Sequence, residues 1–167
     1  VIAGIYFITT AILENSISNK FKGQVERMLS QNRSQEARDS LMLMADDIDN
    51  FSEIKKLIIQ HEIDINLKEN DFINAIKSLN WHGLPNIKTN FAQASSSNRA
   101  STVRYYNQEA NWRNNHAIRI LNEISLTDSS ELADYLIDFI IVPSAFYQGD
   151  SLVFDYTEIR KMKSLLK

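Results

Sequence analysis

Arg104, Gln108, Asn111, Trp112, Arg113 and His116 form the densest group of recognition-type side chains in the chain, and all six fall within one helical stretch. At helical spacing Tyr105, Gln108 and Trp112 share one side, while Arg104, Asn111 and Asn115 approach another. A guanidinium supplies charge and a planar set of donors, side-chain amides both donate and accept, and an indole offers a stacking surface. These residue types together suit a small anionic or amide-bearing ligand. The plainer reading of the same residues has Tyr106 in the core and the polar groups bonding neighbouring helices, and the spacing favours it. Trp81 and His82, in a turn punctuated by Gly83 and Pro85, form a second place where an aromatic side chain either packs over a helix end or lines a pocket.

Other chemistry is largely excluded. His61 and Glu62 begin like a zinc-protease helix, but position 65 is Ile where the second imidazole would have to be. Asp46, Asp47 and Asp49 resemble part of a calcium loop, yet no Gly or bidentate Glu follows at the required distance, so they read as a solvated helix face. His61, His82 and His116 are far apart and read as structural or exposed. No Gly-x-Ser-x-Gly elbow and no glycine-rich phosphate loop occurs. The absence of Cys removes disulfides and thiol chemistry. The residues therefore call for no metal and no cofactor, and they assign no catalytic group.

The elements that must position the recognition cluster are helices. Four Gly and two Pro in 167 residues are too few, and too unevenly placed, for the recurrent turns of a sandwich. Periodicity predicts a first helix with Ile5, Ile8 and Ile12 continuing through Phe21, Val25 and Met28, and a second over roughly 34 to 61. A short helix near 70 to 80 is capped by Asn70 or Asp71 and carries Phe72, Ile76 and Leu79 on one side. The cluster itself lies on a helix from about 101 to 125. Asp128 and Glu131 have capping-box spacing for a fifth helix, Leu132 to Val142, which Pro143 ends. A final short helix carries Leu152, Tyr156, Ile159 and Leu166.

Charge is segregated along this plan. Residues 72–120 hold six basic side chains and one acidic, whereas residues 121–158 hold eight acidic and none basic, within a net charge of −3. Such blocks most simply place basic and acidic helices side by side. The sharper alternative is a basic face of Arg99, Arg104, Arg113 and Arg119 for an acidic partner. Nucleic acid is disfavoured, because the chain is acidic overall and the basic stretch is sparse.

One segment stands apart from the rest. Val1 to Leu13, VIAGIYFITTAIL, is uncharged, and no Met precedes it, so it reads as the tail of something longer. Thirteen residues fall short of the roughly 20 that cross a bilayer. If upstream residues complete a span, Lys20, Lys22, Arg27 and Arg33 place the bulk of the chain on the cytoplasmic side of a membrane. The alternatives are a helix that pairs with another subunit through Ile5, Ile8 and Ile12, a buried core helix, and a leftover signal segment, for which no small-residue cleavage site is evident.

The expected architecture is all-α, a mostly antiparallel bundle of five or six helices, with an apolar segment at 1–13 and a single helical domain over 14–167. The expected role is non-enzymatic: a membrane-anchored interaction module or accessory subunit with a protein partner. A ligand-sensing bundle that signals along its first helix is the alternative, and an enzyme assembled from distant helices is a third.

Overall fold

Single asparagines terminate two of the helices. Asn32 and Asn70 hold left-handed backbone, with φ of 56° and 57°, a conformation that Asn tolerates better than most L-residues. After each, the next N–H reaches back five residues, Arg33 to Met28 O (2.9 Å) and Asp71 to Asn66 O (2.8 Å). The asparagine N–H itself bonds three residues back, to Leu29 O or Leu67 O. This is the Schellman closure, which satisfies carbonyls a helix end otherwise leaves open.

The computed structural model of the chain describes residues 17–45, 51–125 and 130–165. Among them it is mostly helical, with eight helices and one two-stranded sheet. The chain divides into two compact units, Val1–Ile65 and Asn66–Lys167, and the division falls inside a continuous helix.

In the first unit, α1 (17–30) buries Phe21, Val25 and Leu29 at intervals of four. Helix α2 (Ser34–Leu43) buries Ala37 and Leu41, and α3 (Phe51–Lys68) buries Ile54, Ile58, Ile59 and Ile63. Arg38 of α2 meets Glu62 of α3 through both prongs of its guanidinium, with Nε 2.6 Å from Oε1. Glu62 is buried, so this pairing is what makes its charge tolerable there. Burial pushes the Lys55 ammonium below its ordinary value, and the charge of Arg38 adds to the effect.

The helix expected over 34 to 61 is thus two helices. Helix α2 stops where the Met44 N–H turns back to Leu41 O, just before a run of Asp and Asn with low helix propensity. Asp46, Asp47 and Asp49 lie outside the described residues, as do Asp128 of the expected capping box and the whole of 1–13 with Ile5, Ile8 and Ile12. Among the described residues no helix is long and apolar enough to cross a membrane.

The second unit is organised around one long helix, α6 (Arg99–Ile124). Against it pack α4 (Phe72–Asn80), α5 (Ile87–Gln93), α7 (Ser130–Tyr135), the π-helical turn Leu136–Ile140 and strand β1 (Ser144–Gln148). Asp71 caps α4 by accepting the Asn74 N–H (3.0 Å), and Asn86 caps α5 by accepting that of Thr89 (3.2 Å). Ile87, Phe91, Val103, Tyr106, Ala110 and Ala145 form a core cluster, with Val142, Leu152 and Phe154 packed against it. Helix α8 (Thr157–Leu165) follows the hairpin and ties to the π-helical turn through Lys163 and Asp138.

Three sequence expectations are corrected in this unit. The seven-residue α5 is too short for periodicity to reveal it. The segment from Leu132 is α-helical only to Tyr135; it then widens, the Ile141 N–H reaching back five residues to Leu136 O (2.9 Å). Most consequentially, the expected helical character holds, but one small two-stranded sheet is added to it. Residues expected to open the last helix form strand β2 (Ser151–Asp155), antiparallel to β1 with Ala145 opposite Phe154 and Gln148 opposite Ser151. Gly149 sets this hairpin by taking φ of 59° at the first position of a two-residue turn, the place a type II′ turn reserves for glycine. Leu152 to Tyr156 fits a helical stripe, but Leu152 and Phe154 at spacing two are what the core uses.

Asn70→Ala should lower the unfolding free energy by about 1 kcal/mol, because Ala lacks the short polar side chain that lets Asn take left-handed backbone cheaply. Asn70→Gly should retain it or gain slightly; urea titration measures both.

Candidate functional site

Helix α6 spreads its polar side chains over separate faces, and each face does something different. On the buried face Arg113 is enclosed by protein. Its Nε donates to Ile140 O (2.9 Å), Nη1 to Leu79 O (3.3 Å) and Nη2 to Asn80 Oδ1 (2.9 Å). Leu79 lies in the last turn of α4 and Ile140 ends the π-helical turn, so the cation sits where two helix C-termini concentrate negative potential, and Leu79 O accepts the His82 N–H (3.1 Å) as well. Burial lowers the guanidinium pKa, with Tyr135 opposing, yet a group that starts so high stays protonated.

Glu109, also buried, accepts from or donates to His82 Nε2 at 2.9 Å, according to protonation. The Trp112 ring lies between His82 and His116, at centroid distances of 4.6 and 4.3 Å. The carboxylate partner of His82 comes from 27 residues away, which is why no local spacing announced it. Among the described residues no three His, Asp or Glu side chains converge as a metal site.

A third face grips extended backbone. Asn114 Oδ1 accepts the Val142 N–H (3.0 Å) while its Nδ2 donates to Val142 O (2.8 Å). Asn107 does the same to Ala145, at 2.8 and 2.7 Å. Each amide thus stands in for a neighbouring strand. The spacing works because seven helical residues rise about 10.5 Å and three extended residues advance about 10 Å. Between the two clamps the Tyr106 hydroxyl donates to Pro143 O (3.1 Å), and burial, with Tyr156 nearby, pushes its phenol above the ordinary value.

The fourth face is open. Arg104, Gln108 and Asn111 line a groove of about 500 Å³, together with Ala100, Val103, Asn107 and the β1 residues Ala145, Phe146 and Tyr147. Arg104, Gln108 and Asn111 are exposed and bond no described residue. Among the described residues, then, the groove has one uncommitted cation, two uncommitted amides and two aromatic side chains. Its far wall is fixed, because Arg99 at the start of α6 pairs with Asp150 at the hairpin tip and lies 5.1 Å over the Phe91 ring.

Of the six residues expected to form a site, three are brought together and three are not. Arg104, Gln108 and Asn111 share the groove. Trp112 packs against both His82 and His116 on another side, and Arg113 points into the core. Phe146 and Tyr147 entered no sequence expectation, because they belong to the hairpin that helical periodicity concealed. The pair Asn107 and Asn114, seven residues apart, is a signal that was readable. No family model, curated protein or solved structure matches the chain.

Arg113→Met should cost about 1–3 kcal/mol, since it leaves the buried Ile140 carbonyl without its donor and removes bonds to Leu79 and Asn80. Arg113→Lys should recover only part of this, lacking the forked donors; thermal unfolding ranks the three proteins. Because folding favours the protonated Tyr106 phenol, its contribution is whole below the free value of about 10 and is lost as the pH climbs through the raised folded value. Tyr106→Phe should cost about 1 kcal/mol at neutral pH and show a shallower alkaline loss in stability measured over about pH 9 to 11.5.

Proposed function

We propose that the chain is a non-enzymatic recognition module whose working surface is the groove between α6 and β1, and that its ligand carries a carboxylate or similar anion together with amide-type polar groups. The observation that carries this reading is the convergence of Arg104, Gln108 and Asn111, all uncommitted, on one groove with Phe146 and Tyr147. A guanidinium beside side-chain amides recognises an oxyanion and a neighbouring donor or acceptor, while the aromatic wall covers apolar parts of the ligand. In this reading the apolar segment 1–13 attaches the module to a membrane or to a protein subunit, a role supported by its composition.

Thermal shift with acetate, glutarate and N-acetylglutamate tests the groove. An acid at about a hundred times its dissociation constant stabilises by about 2.7 kcal/mol, enough to raise the melting temperature by about 5 °C or more. The rise should disappear in Arg104→Ala and persist in Arg119→Ala. Absence of any rise with all three acids, or a rise that survives Arg104→Ala, overturns the proposal.

A further inference from the structure

The outer edge of β1 shows what kind of ligand the groove is built for. In an antiparallel pair joined by a two-residue turn, Gln148–Ser151, Phe146–Val153 and Ser144–Asp155 exchange the ladder bonds. The N–H and C=O of Ala145 and Tyr147 must then point away from β2. Asn107 confirms the direction at Ala145, since it takes both groups from the outside. At Tyr147 the same two groups face outward with no side chain clamped on them. Two strand residues beyond Ala145 is an advance of about 6.6 Å, or about four residues of helix. Because the strand runs antiparallel to α6, that brings the Tyr147 edge level with Val103 and Arg104, at the groove.

Resting on the reading of the groove as a binding site, we infer that its occupant is a short extended peptide segment bearing an acidic side chain, added as a strand to the open edge of β1 at Tyr147. The chain already binds its own segment 142–145 in this manner, with side-chain amides of α6 substituting for a strand. Gln108 and Asn111, next to Asn107 on the helix surface, present the same donor and acceptor pair to the second segment. Arg104 selects for a carboxylate, and an incoming lysine is disfavoured by like charge.

The test uses the full chain and three pools of fluorescent, end-blocked heptapeptides, randomised except for a central Glu, Gln or Lys. The Glu pool should bind about tenfold tighter than the Lys pool, the size of one charge-assisted hydrogen bond. That preference should vanish in Arg104→Ala and persist in Arg119→Ala. Bound Glu pool should slow hydrogen exchange at the Tyr147 amide, and backbone N-methylation of the peptides should abolish binding. Strand addition is overturned if no pool binds, if N-methylated peptides bind as well, or if Tyr147 exchange is unchanged. Small acids that bind through Arg104 while the pools fail leave the groove reading intact and remove this inference; failure of both acids and pools removes both.

Discussion

A buried guanidinium organises the second unit. Arg113 carries a full charge inside the protein, and that charge has to be answered by polar groups held in place. Its partners are the Leu79 carbonyl in the last turn of α4, the Ile140 carbonyl that ends the π-helical turn, and the side chain of Asn80. Elements distant in sequence are thereby required to end at one point beside α6. The same interaction gives a donor to the buried Ile140 carbonyl at the end of the π-helical turn and adds a second one to Leu79 O, which also accepts the His82 N–H. The core cluster around Tyr106 supplies apolar burial, which does not discriminate strongly among packings. Arg113 adds directional bonds that only one arrangement satisfies.

The groove follows from that arrangement. Once the π-helical turn ends at Arg113, the chain must leave along α6 in extended form, and Asn114, Tyr106 and Asn107 hold it there. The hairpin comes next because β1 is already laid down straight, and Arg99 secures its tip through Asp150. Arg104, Gln108 and Asn111 are left over because the clamped segment occupies only one of the two adjacent polar rows on the helix. A cation and amides that bond nothing among the described residues fit a surface that completes its hydrogen bonding by taking something from outside.

Helical character was legible wherever apolar residues recur with helical spacing, as at Phe51 and Ile58 or along α6. The break between α2 and α3 was not, because the stripe of Leu41, Met44, Ile48 and Phe51 stays on one side of a helix across a polar gap. The hairpin was misread because Leu152 and Tyr156 satisfy a four-residue interval as well as Leu152 and Phe154 satisfy a two-residue one. For the site, residue type located α6 as the recognition element but could not apportion its faces. Arg104 and Arg113 look alike in sequence. They part only because nine residues of helix turn them to opposite surroundings, one against helix ends and the other over a groove whose second wall comes from about 40 residues downstream.

The two asparagine clamps depend on a numerical coincidence of polymer geometry, seven helical residues spanning the same length as three extended ones. This makes the region sensitive to chain length in a way that composition does not reveal. Many side chains between Asn107 and Asn114 can change without altering the distance between them. Inserting or deleting a single residue there rotates one clamp by about 100° relative to the other, and inserting one in 143–144 reverses the direction of the backbone groups that the second clamp must meet. Relatives of this chain would therefore be found by a conserved interval between two amides and a conserved interval in the strand they hold, even after most of the intervening residues had diverged.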